Sequence, residues 1–339
     1  MLCKLTLLTT ACIGFSVGVS QARADDGKEL QAKAKKLFGV LEPVPEDRLN
    51  SAEVKLGRSL FWDQRASADG KTSCASCHLP SDWGADRRTA SRRATGSLTK
   101  RNSQTVFNAM GQSGLRWTAD RKTGAIQAQG SLTGSLGMPS ADAGLAKLRE
   151  LGYEQLFAKA YPDAKDPLTL ENYGKAIEAY EATLVTPAPF DNYLAGDEAA
   201  LNAQQQAGLQ AFISTGCADC HNGPLLGGGE LAKFGIEKDY WLATGSKPVD
   251  TGRFGSTNDE ADRYVFRVAQ LRNIAKTGPY FHDGSVKQLD KAVAVMGEVQ
   301  LGKRLSDKEV ADLVAFLESL TGDVPKQFAP PAEFPGQPQ

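Results

Sequence analysis

Two short stretches of this chain hold cysteine and histidine at a spacing that suits covalent cofactor attachment. The residues from Cys74 to His78 and from Cys217 to His221 both read C-x-x-C-H, which is the attachment motif of c-type haem. In this chemistry the two thiols add to the vinyl groups of the porphyrin, and the adjacent histidine becomes an axial ligand of the iron. The motifs therefore predict two covalently bound haems, with His78 and His221 as iron ligands.

The other cysteines and histidines favour this interpretation over its alternatives. The chain has 6 cysteines and 3 histidines. Apart from Cys3 and Cys12 near the start, the cysteines are Cys74, Cys77, Cys217 and Cys220, all within the motifs. A zinc site needs two cysteine pairs about 15–20 residues apart, and these pairs are much further apart. A thioredoxin-like dithiol needs neither the trailing histidine nor a second copy.

Residues 1–24 have the pattern of a secretory signal peptide. A positive charge at Lys4 precedes an apolar run from Leu5 to Val19, and small residues surround a cleavage point near Ala24. The run is shorter than the roughly 20 apolar residues that span a membrane, and threonine and glycine interrupt it. We therefore expect an exported, periplasmic protein, and this location suits covalent haem attachment.

Composition excludes several other classes of protein. With 339 residues the chain is long enough for two domains, and 41% hydrophobic residues suffice for ordinary cores. The 39 basic and 40 acidic residues nearly balance, which argues against a nucleic-acid partner. No stretch after the leader is apolar enough to predict a membrane span.

Hydrophobic periodicity predicts a mainly α fold with two cytochrome c-like domains, each carrying one covalent haem. A helix with Leu56 and Leu60 on one side precedes the first motif, and a helix with Leu209 and Phe212 precedes the second. Helix, motif and irregular wrap thus occur twice. The predicted organisation is a signal peptide (1–24), a first haem domain (25–186), a second haem domain (187–324) and a loose Pro-rich tail (325–339).

Local signals predict further helices and one long irregular region. Helices are expected at 25–38, 145–160 and 170–184. Asn50 with Glu53 resembles a capping pair, and Ser306 with Glu309 forms a capping box for a last helix that Gly322 ends. Residues 81–140 have no sustained period, so we expect an irregular cover over the first haem.

Longer stretches around the motifs resemble one family. They are LGRSLFWD at 56–63, PFDNYLAGD at 189–197, GRF at 252–254, VAQLRN at 268–273 and GPYFHDGS at 278–285. Together they are similar to the bacterial dihaem cytochrome c peroxidases, a family that includes the protein-modifying MauG-type enzymes. The resemblance covers nearly all of the chain after the leader.

The resemblance implies different tasks for the two haems. The haem at His78 would react with peroxide, and the haem at His221 would transfer electrons. Met296 matches the sixth ligand of the second haem in the peroxidases, where MauG-type enzymes have tyrosine; the alternative role of a methionine here is core filling. Trp117 matches a tryptophan that relays electrons between the haems, and its alternative is a core aromatic residue.

The same resemblance implies a further ion and several partners. Calcium would lie between the domains, bound by the Asn102 side chain and the carbonyls of Thr277 and Pro279, because oxygen ligands suit this hard cation. Hydrogen peroxide would be the oxidant. The protein partner would be a small redox protein (a cytochrome c or a cupredoxin) or a protein substrate. Separately, a homodimer is a candidate assembly of this chain.

Two positions depart from the family around the first haem. Ala94 stands where many members carry a second histidine that closes the resting site, and no histidine lies in this loop. Gln127 matches a distal glutamine, but the catalytic glutamate is replaced by Gly137. A positioned acid/base contributes about 10²–10⁴-fold to such chemistry, so either water or a neighbour such as Asp142 takes its place or the reaction with peroxide is slow. We expect an oxidised first iron without a histidine as sixth ligand, with Met138 as the one competing ligand nearby.

The resulting hypothesis is a periplasmic dihaem oxidoreductase that uses hydrogen peroxide at the N-terminal haem, with electrons delivered through the His221/Met296 haem. The first alternative is a MauG-like enzyme that oxidises side chains of a partner protein, which the missing glutamate favours and Met296 opposes. The second is a dihaem electron carrier without catalysis.

Overall fold

The computed structural model describes the backbone of residues 15–336 and the side chains from residue 27 to residue 336. Most of the expected signal peptide therefore lies outside the described residues. Within them, no helix is both long and apolar enough to cross a membrane.

The described chain is mainly helical, in agreement with the sequence prediction. The helices of its first half are α1 (Phe15–Phe38), α2 (Glu46–Leu49), α3 (Ala52–Trp62), α4 (Gly124–Thr133), α5 (Ala141–Glu150), α6 (Glu154–Ala160) and α7 (Leu170–Glu181). Those of its second half are α8 (Pro189–Ala195), α9 (Ala203–Ser214), α10 (Cys217–Cys220), α11 (Tyr240–Thr244), α12 (Phe254–Thr257), α13 (Leu289–Leu301) and α14 (Asp307–Glu318). Two short strands, β1 (Leu231–Lys233) and β2 (Val265–Arg267), pair antiparallel with Ala232 opposite Phe266.

The same helix crossing occurs once in each half. Helix α3 packs on α7, and helix α9 packs on α14. At the first crossing Gly57 lies so close to α7 that an added Cβ would be 1.8 Å from the Ala176 carbonyl oxygen. At the second, a Cβ on Gly208 would be 1.9 Å from the carbonyl oxygen of Asp312. Only glycine allows this approach, and its repetition supports a duplicated domain.

Each half has its own apolar core. The first core is built from α3, α4 and α7, with Phe61, Leu132 and Tyr180 among its fully buried residues. The second is built from α8, α9 and α14, and Leu209 and Phe316 lie at its centre.

Two terminal segments cross between the halves, against their order in the sequence. Helix α1 packs on the second core, where the Phe38 ring meets those of Phe190 and Phe212 at centroid distances of 5.6 and 6.2 Å. Residues 325–336, which we call the strap, lie on the first half. Phe328 of the strap is 3% exposed and contacts Phe107, with 4.9 Å between ring centroids. The predicted domain boundary at residue 186 stays a prediction. Helix α1 and the strap each pack on the half of the chain to which that boundary does not assign them.

The expectation of a loose tail is wrong for the described part of it. The Gln327 amide donates to the Thr183 carbonyl at 2.7 Å, and the Arg58 guanidinium donates to the carbonyl of Ala329 at 2.8 Å. Prolines limit the conformational freedom that the strap loses on docking. A Pro-rich composition is therefore compatible with an extended segment that packs on the protein, as the strap does, and does not by itself predict a mobile tail.

Several helix predictions are confirmed and others need correction. Helix α7 and the Ser306–Glu309 capping box are present, and the helix expected at 145–160 is broken by Gly152 at a φ of +80°. Helix α3 is capped by Ser51, whose Oγ accepts from the Val54 amide at 3.2 Å, and not by Asn50. Helix α4 interrupts the region expected to be irregular, where Thr123 provides its N-cap.

Helix α14 ends at Glu318, before Gly322. This glycine has a packing role instead, because a Cβ there would meet the Pro187 carbonyl oxygen at 2.4 Å.

Candidate haem sites and the segment between them

Both C-x-x-C-H motifs follow the core helix of their own half. The first begins in a short 3₁₀ turn, Cys74–Ser76, after α3, and the second forms α10 directly after α9. Gly216 joins α9 to α10 at a φ of +100°, a conformation that favours glycine. The crossing helices thus hold both motifs against an apolar core.

The His78 imidazole is buried and oriented by the backbone. Its Nδ1 lies 2.9 Å from the Gly84 carbonyl oxygen, so the Nδ1–H tautomer donates this bond and leaves Nε2 free. Burial lowers the pKa of His78 below its usual value. A neutral imidazole with a free Nε2 and an oriented Nδ1 is the form that ligates metals.

The His221 imidazole repeats this arrangement in the second half. Its Nδ1 lies 3.1 Å from the Leu226 carbonyl oxygen, and burial lowers its pKa in the same way. Gly227, with φ +123°, lets the backbone pass next to the ring, since a Cβ there would be 2.3 Å from the Ala269 carbonyl oxygen. Two histidines thus have equivalent, ligand-ready surroundings.

All four motif cysteines are free thiols, and each is partly buried. Burial raises the pKa of Cys74, Cys77, Cys217 and Cys220, which keeps them protonated at neutral pH. They form no disulfides with one another, so both pairs are available for thioether formation.

A cavity of about 250 Å³ adjoins His221. Its apolar walls include Phe212, Val293 and Leu317, and Met296 of α13 also lines it. The structure thus brings His221, its two cysteines and Met296 to one cavity, as the sequence prediction requires. That Met296 ligates an iron stays a prediction.

The same cavity has polar groups that lack partners. The Nε2 atom of His282 and the Oε1 atom of Gln270 are buried without a hydrogen-bond partner in the described structure, and both residues line the cavity. Haem is apolar over most of its area and carries two carboxylates at one edge. An apolar cavity with unpartnered polar atoms and a free histidine nitrogen therefore fits this group.

Trp117 lines this cavity, and its indole Nε1 donates to the Asn102 carbonyl at 2.9 Å. Asn102 begins a segment, Asn102–Thr105, that also lines the cavity. Within it, the Gln104 backbone opposes the lowering of the His78 pKa by burial. One short segment therefore contacts Trp117, lines the second cavity and influences the first histidine.

The predicted calcium ligands also meet at this cavity. Asn102, Thr277 and Pro279 all line it, and the Asn102 Nδ2 donates to the Arg88 carbonyl at 2.6 Å. That bond orients the amide but leaves its oxygen free for another contact. The calcium assignment stays a prediction.

The two departures near the first haem motif lie in contact with each other. Gly137 has a φ of +70°, and a Cβ on it would be 3.1 Å from Thr95 Cγ2 and 3.3 Å from Ala94 Cβ. The Ala94 amide donates to the Ser135 carbonyl at 2.9 Å. The backbone at Gly137 therefore disfavours any side chain, and the replacement of a family glutamate at this position stays a prediction.

The remaining residues predicted for the first haem site lie on α4, in the segment after it and in the first turn of α5. The Gln127 amide donates to Ser131 Oγ at 3.2 Å, one helical turn further along α4. Met138 packs at the edge of the first core. Asp142, the acid considered as a substitute, is exposed in the first turn of α5. The catalytic role of Gln127 stays a prediction.

The family model described as di-haem cytochrome c peroxidase matches residues 51–199. The cytochrome c551 peroxidase of Pseudomonas aeruginosa is 41% identical over 335 residues, which cover 95% of this chain and 94% of that protein. The chain belongs to the dihaem cytochrome c peroxidase family, whose name implies two haem groups.

MauG-type proteins are also similar to this chain. The methylamine utilization protein MauG of Methylophilus methylotrophus is 31% identical and covers 85% of this chain and 88% of its own length. Among solved structures, a MauG-like protein associated with microbial copper homeostasis is 28% identical, with a TM-score of 0.73 over 86% of this chain and 96% of that one.

Several site residues escaped sequence reasoning. Gly57 and Gly208 have no local pattern that reveals a helix crossing, and they lie at different distances, 17 and 9 residues, before the first cysteines of the two motifs. Arg267 is fully buried beside the cavity. The sequence signal for its burial was its position among apolar residues.

Proposed function

We propose that this protein is a periplasmic dihaem oxidoreductase that reduces hydrogen peroxide at the His78 site, with electrons supplied through the His221 site. The observation that carries the proposal is the pair of buried histidines, each held by a backbone carbonyl and each following two cysteines in a C-x-x-C-H motif. Haem bound at these sites would supply one-electron storage and peroxide chemistry.

The protein's own groups have defined tasks in this proposal. Cys74 and Cys77 would hold one haem and Cys217 and Cys220 the other, and Met296 would complete the second iron's ligands. The Gly84 and Leu226 carbonyls fix the tautomer and orientation of the two imidazoles, which raises their basicity as ligands. Calcium at Asn102, Thr277 and Pro279 would stiffen the junction of the halves.

Trp117 is the proposed relay between the two sites. Its indole is hydrogen-bonded to the Asn102 carbonyl, and its ring centroid lies 6.4 Å from that of the His282 ring. The Arg267 backbone amide donates to the Trp117 carbonyl at 2.7 Å. Hydrogen bonds therefore fix both the side chain and the backbone of Trp117. A fixed aromatic ring between two redox sites suits electron transfer better than a mobile one.

Peroxide added to the reduced holoprotein tests the proposal. Fast reoxidation of both haems is expected, and a Trp117→Phe variant should reoxidise the second haem more slowly. If peroxide does not reoxidise the wild-type protein, the chain is an electron carrier and not a peroxidase.

A second experiment tests the resting state of the first site. The oxidised His78 site should show a high-spin signal in electron paramagnetic resonance, because Ala94 supplies no sixth ligand. Two low-spin signals alone would contradict an open site.

The second candidate function is the oxidation of a partner protein. It is favoured by Gly137, which supplies no acid where the family resemblance expects the catalytic glutamate, and whose φ of +70° disfavours any side chain. The 28% identical MauG-like structure agrees with this alternative. Steady-state turnover with a reduced cytochrome c or cupredoxin separates the two: rapid turnover supports the peroxidase, and a single turnover followed by slow decay supports the protein-modifying enzyme.

A further inference from the structure

Two arginines are the largest fully buried side chains of the described structure, and they differ in their partners. Arg272 forms a paired ion bridge with Asp191, at 2.5 and 2.8 Å. Arg267, which is 2% exposed, has no carboxylate among the ion pairs of the described residues. A buried cation without a counter-ion is costly, because desolvation is not offset by an opposite charge.

Neutral oxygens hold the Arg267 guanidinium in place. Its Nη2 donates to Gln104 Oε1 at 2.9 Å, its Nη1 donates to Gln112 Oε1, and its Nε donates to the Arg116 carbonyl at 3.2 Å. These acceptors satisfy its donors but leave its charge uncompensated. Burial lowers the pKa of Arg267 to about 10, which still keeps it charged at neutral pH.

The cavity next to His221 shows the same imbalance of charge. Lys233, Arg267 and Arg272 line it, and no aspartate or glutamate does among its described lining residues. Arg272 already has its carboxylate and Lys233 is exposed, so Arg267 is the buried positive charge that a bound anion would neutralise.

We propose that Arg267 is the counter-cation for the carboxylates of the haem bound at His221 and that its charge raises the redox potential of this haem. The inference rests on the proposed function, because it requires a haem in this cavity. Arg267 acts here as a positioning residue: amides from the first half of the chain hold it, and it in turn fixes the carboxylate edge of the group in the second half. A positive charge near the iron stabilises the ferrous state, which carries one positive charge fewer.

The experiment compares Arg267→Gln with Arg267→Lys in holoprotein from a host competent in cytochrome c maturation. Haem is counted first by mass spectrometry, which tests the proposed function separately. A spectroelectrochemical titration then follows the second haem. At the wild-type midpoint, Arg267→Gln should lower the ferrous-to-ferric ratio about tenfold, the effect of a unit charge at haem-sized distances in a protein interior, or about 59 mV for one electron. Arg267→Lys should stay closer to the wild type.

The matched control is Arg253→Gln with Asp262→Asn, which removes a half-buried guanidinium together with its carboxylate, 3.0 Å apart. Its potential should match the wild type. If Arg267→Gln shifts no further than this control while both haems are present, the inference is wrong and the haem assignment stands.

Loss of the second haem is also informative. Loss of the haem in Arg267→Gln but not in Arg267→Lys supports the counter-cation role, because lysine keeps the positive charge and glutamine removes it. Loss in both variants overturns it, since the shape of arginine and not its charge would then be required.

Discussion

The Gly57→Ala substitution tests the helix crossing that organises the first half. The added Cβ would lie 1.8 Å from the Ala176 carbonyl oxygen and 2.8 Å from Tyr180 Cβ. Carbon and oxygen do not approach closer than about 3 Å in packed interiors, so α3 and α7 must separate by more than 1 Å. Separation of the two helices also loosens the Phe61 and Tyr180 rings, whose centroids are 5.4 Å apart.

The expected cost follows from two opposing terms. Overpacking a core costs about 1–3 kcal/mol and occasionally more, and a contact with rigid backbone belongs at the upper end. Replacing glycine by alanine inside a helix returns at most about 1 kcal/mol. We therefore expect a net destabilisation of about 2 kcal/mol, which corresponds to roughly a 30-fold larger equilibrium population of the opened helices.

Hydrogen–deuterium exchange with mass spectrometry reads the two halves separately. Gly57→Ala should accelerate exchange in α3 and α7 and leave α9 and α14 unchanged, and Gly208→Ala should do the reverse. Gly255→Ala is the control, because the Cβ would only touch Thr251 Oγ1 at 3.6 Å. Equal exchange in Gly57→Ala and Gly255→Ala would refute the steric reasoning, and acceleration in both halves would refute their independence.

Three further predictions concern single contacts. Met296→His should lower the potential of the second haem and abolish the weak sulfur-to-iron absorption band, because imidazole replaces a thioether; unchanged spectra would make Met296 a core residue. Phe328→Ala should destabilise the first half by about 3–5 kcal/mol, measured by urea unfolding, and an effect under about 1 kcal/mol would mean that the strap does not stabilise it. Burial by itself raises the pKa of Asp250, but hydrogen bonds and charge from Arg101 outweigh this and hold the pKa below its usual value. The Arg101–Asp250 pair therefore stabilises the protein above about pH 4, and this stabilisation is lost as the pH falls further. In a plot of the urea unfolding midpoint against pH, Asp250→Asn should therefore reduce the slope on the acid side. An unchanged slope would contradict this prediction.

The parts of the site that sequence revealed are those whose chemistry is local. A C-x-x-C-H motif carries its two thiols and its histidine within five residues, so no folding is needed to recognise it. The Ser306–Glu309 box is equally local, and it forms with Ser306 Oγ accepting from the Glu309 amide at 3.3 Å.

The parts that sequence missed depend on distant partners. Arg267 is recognised as an unpaired charge only once its hydrogen-bond partners are known. These include the neutral side chains of Gln104 and Gln112 and no carboxylate. The strap was expected to be loose because a Pro-rich segment has no periodicity that shows where it docks. Phe328 pairs with Phe107 more than two hundred positions away, and no window of sequence contains both rings.

The strap also has a consequence for the order in which the molecule matures. The residues of α3, α4 and α7 are synthesised well before Phe328, and N-terminal units generally fold first as a chain emerges. Here the earlier unit lacks one of its core rings until residues 325–336 have followed. Its fully buried Phe61 and Phe107, which contact Phe328 in the finished protein, therefore remain accessible during that interval. The core of the first half is therefore completed only after the residues of the second half have been made.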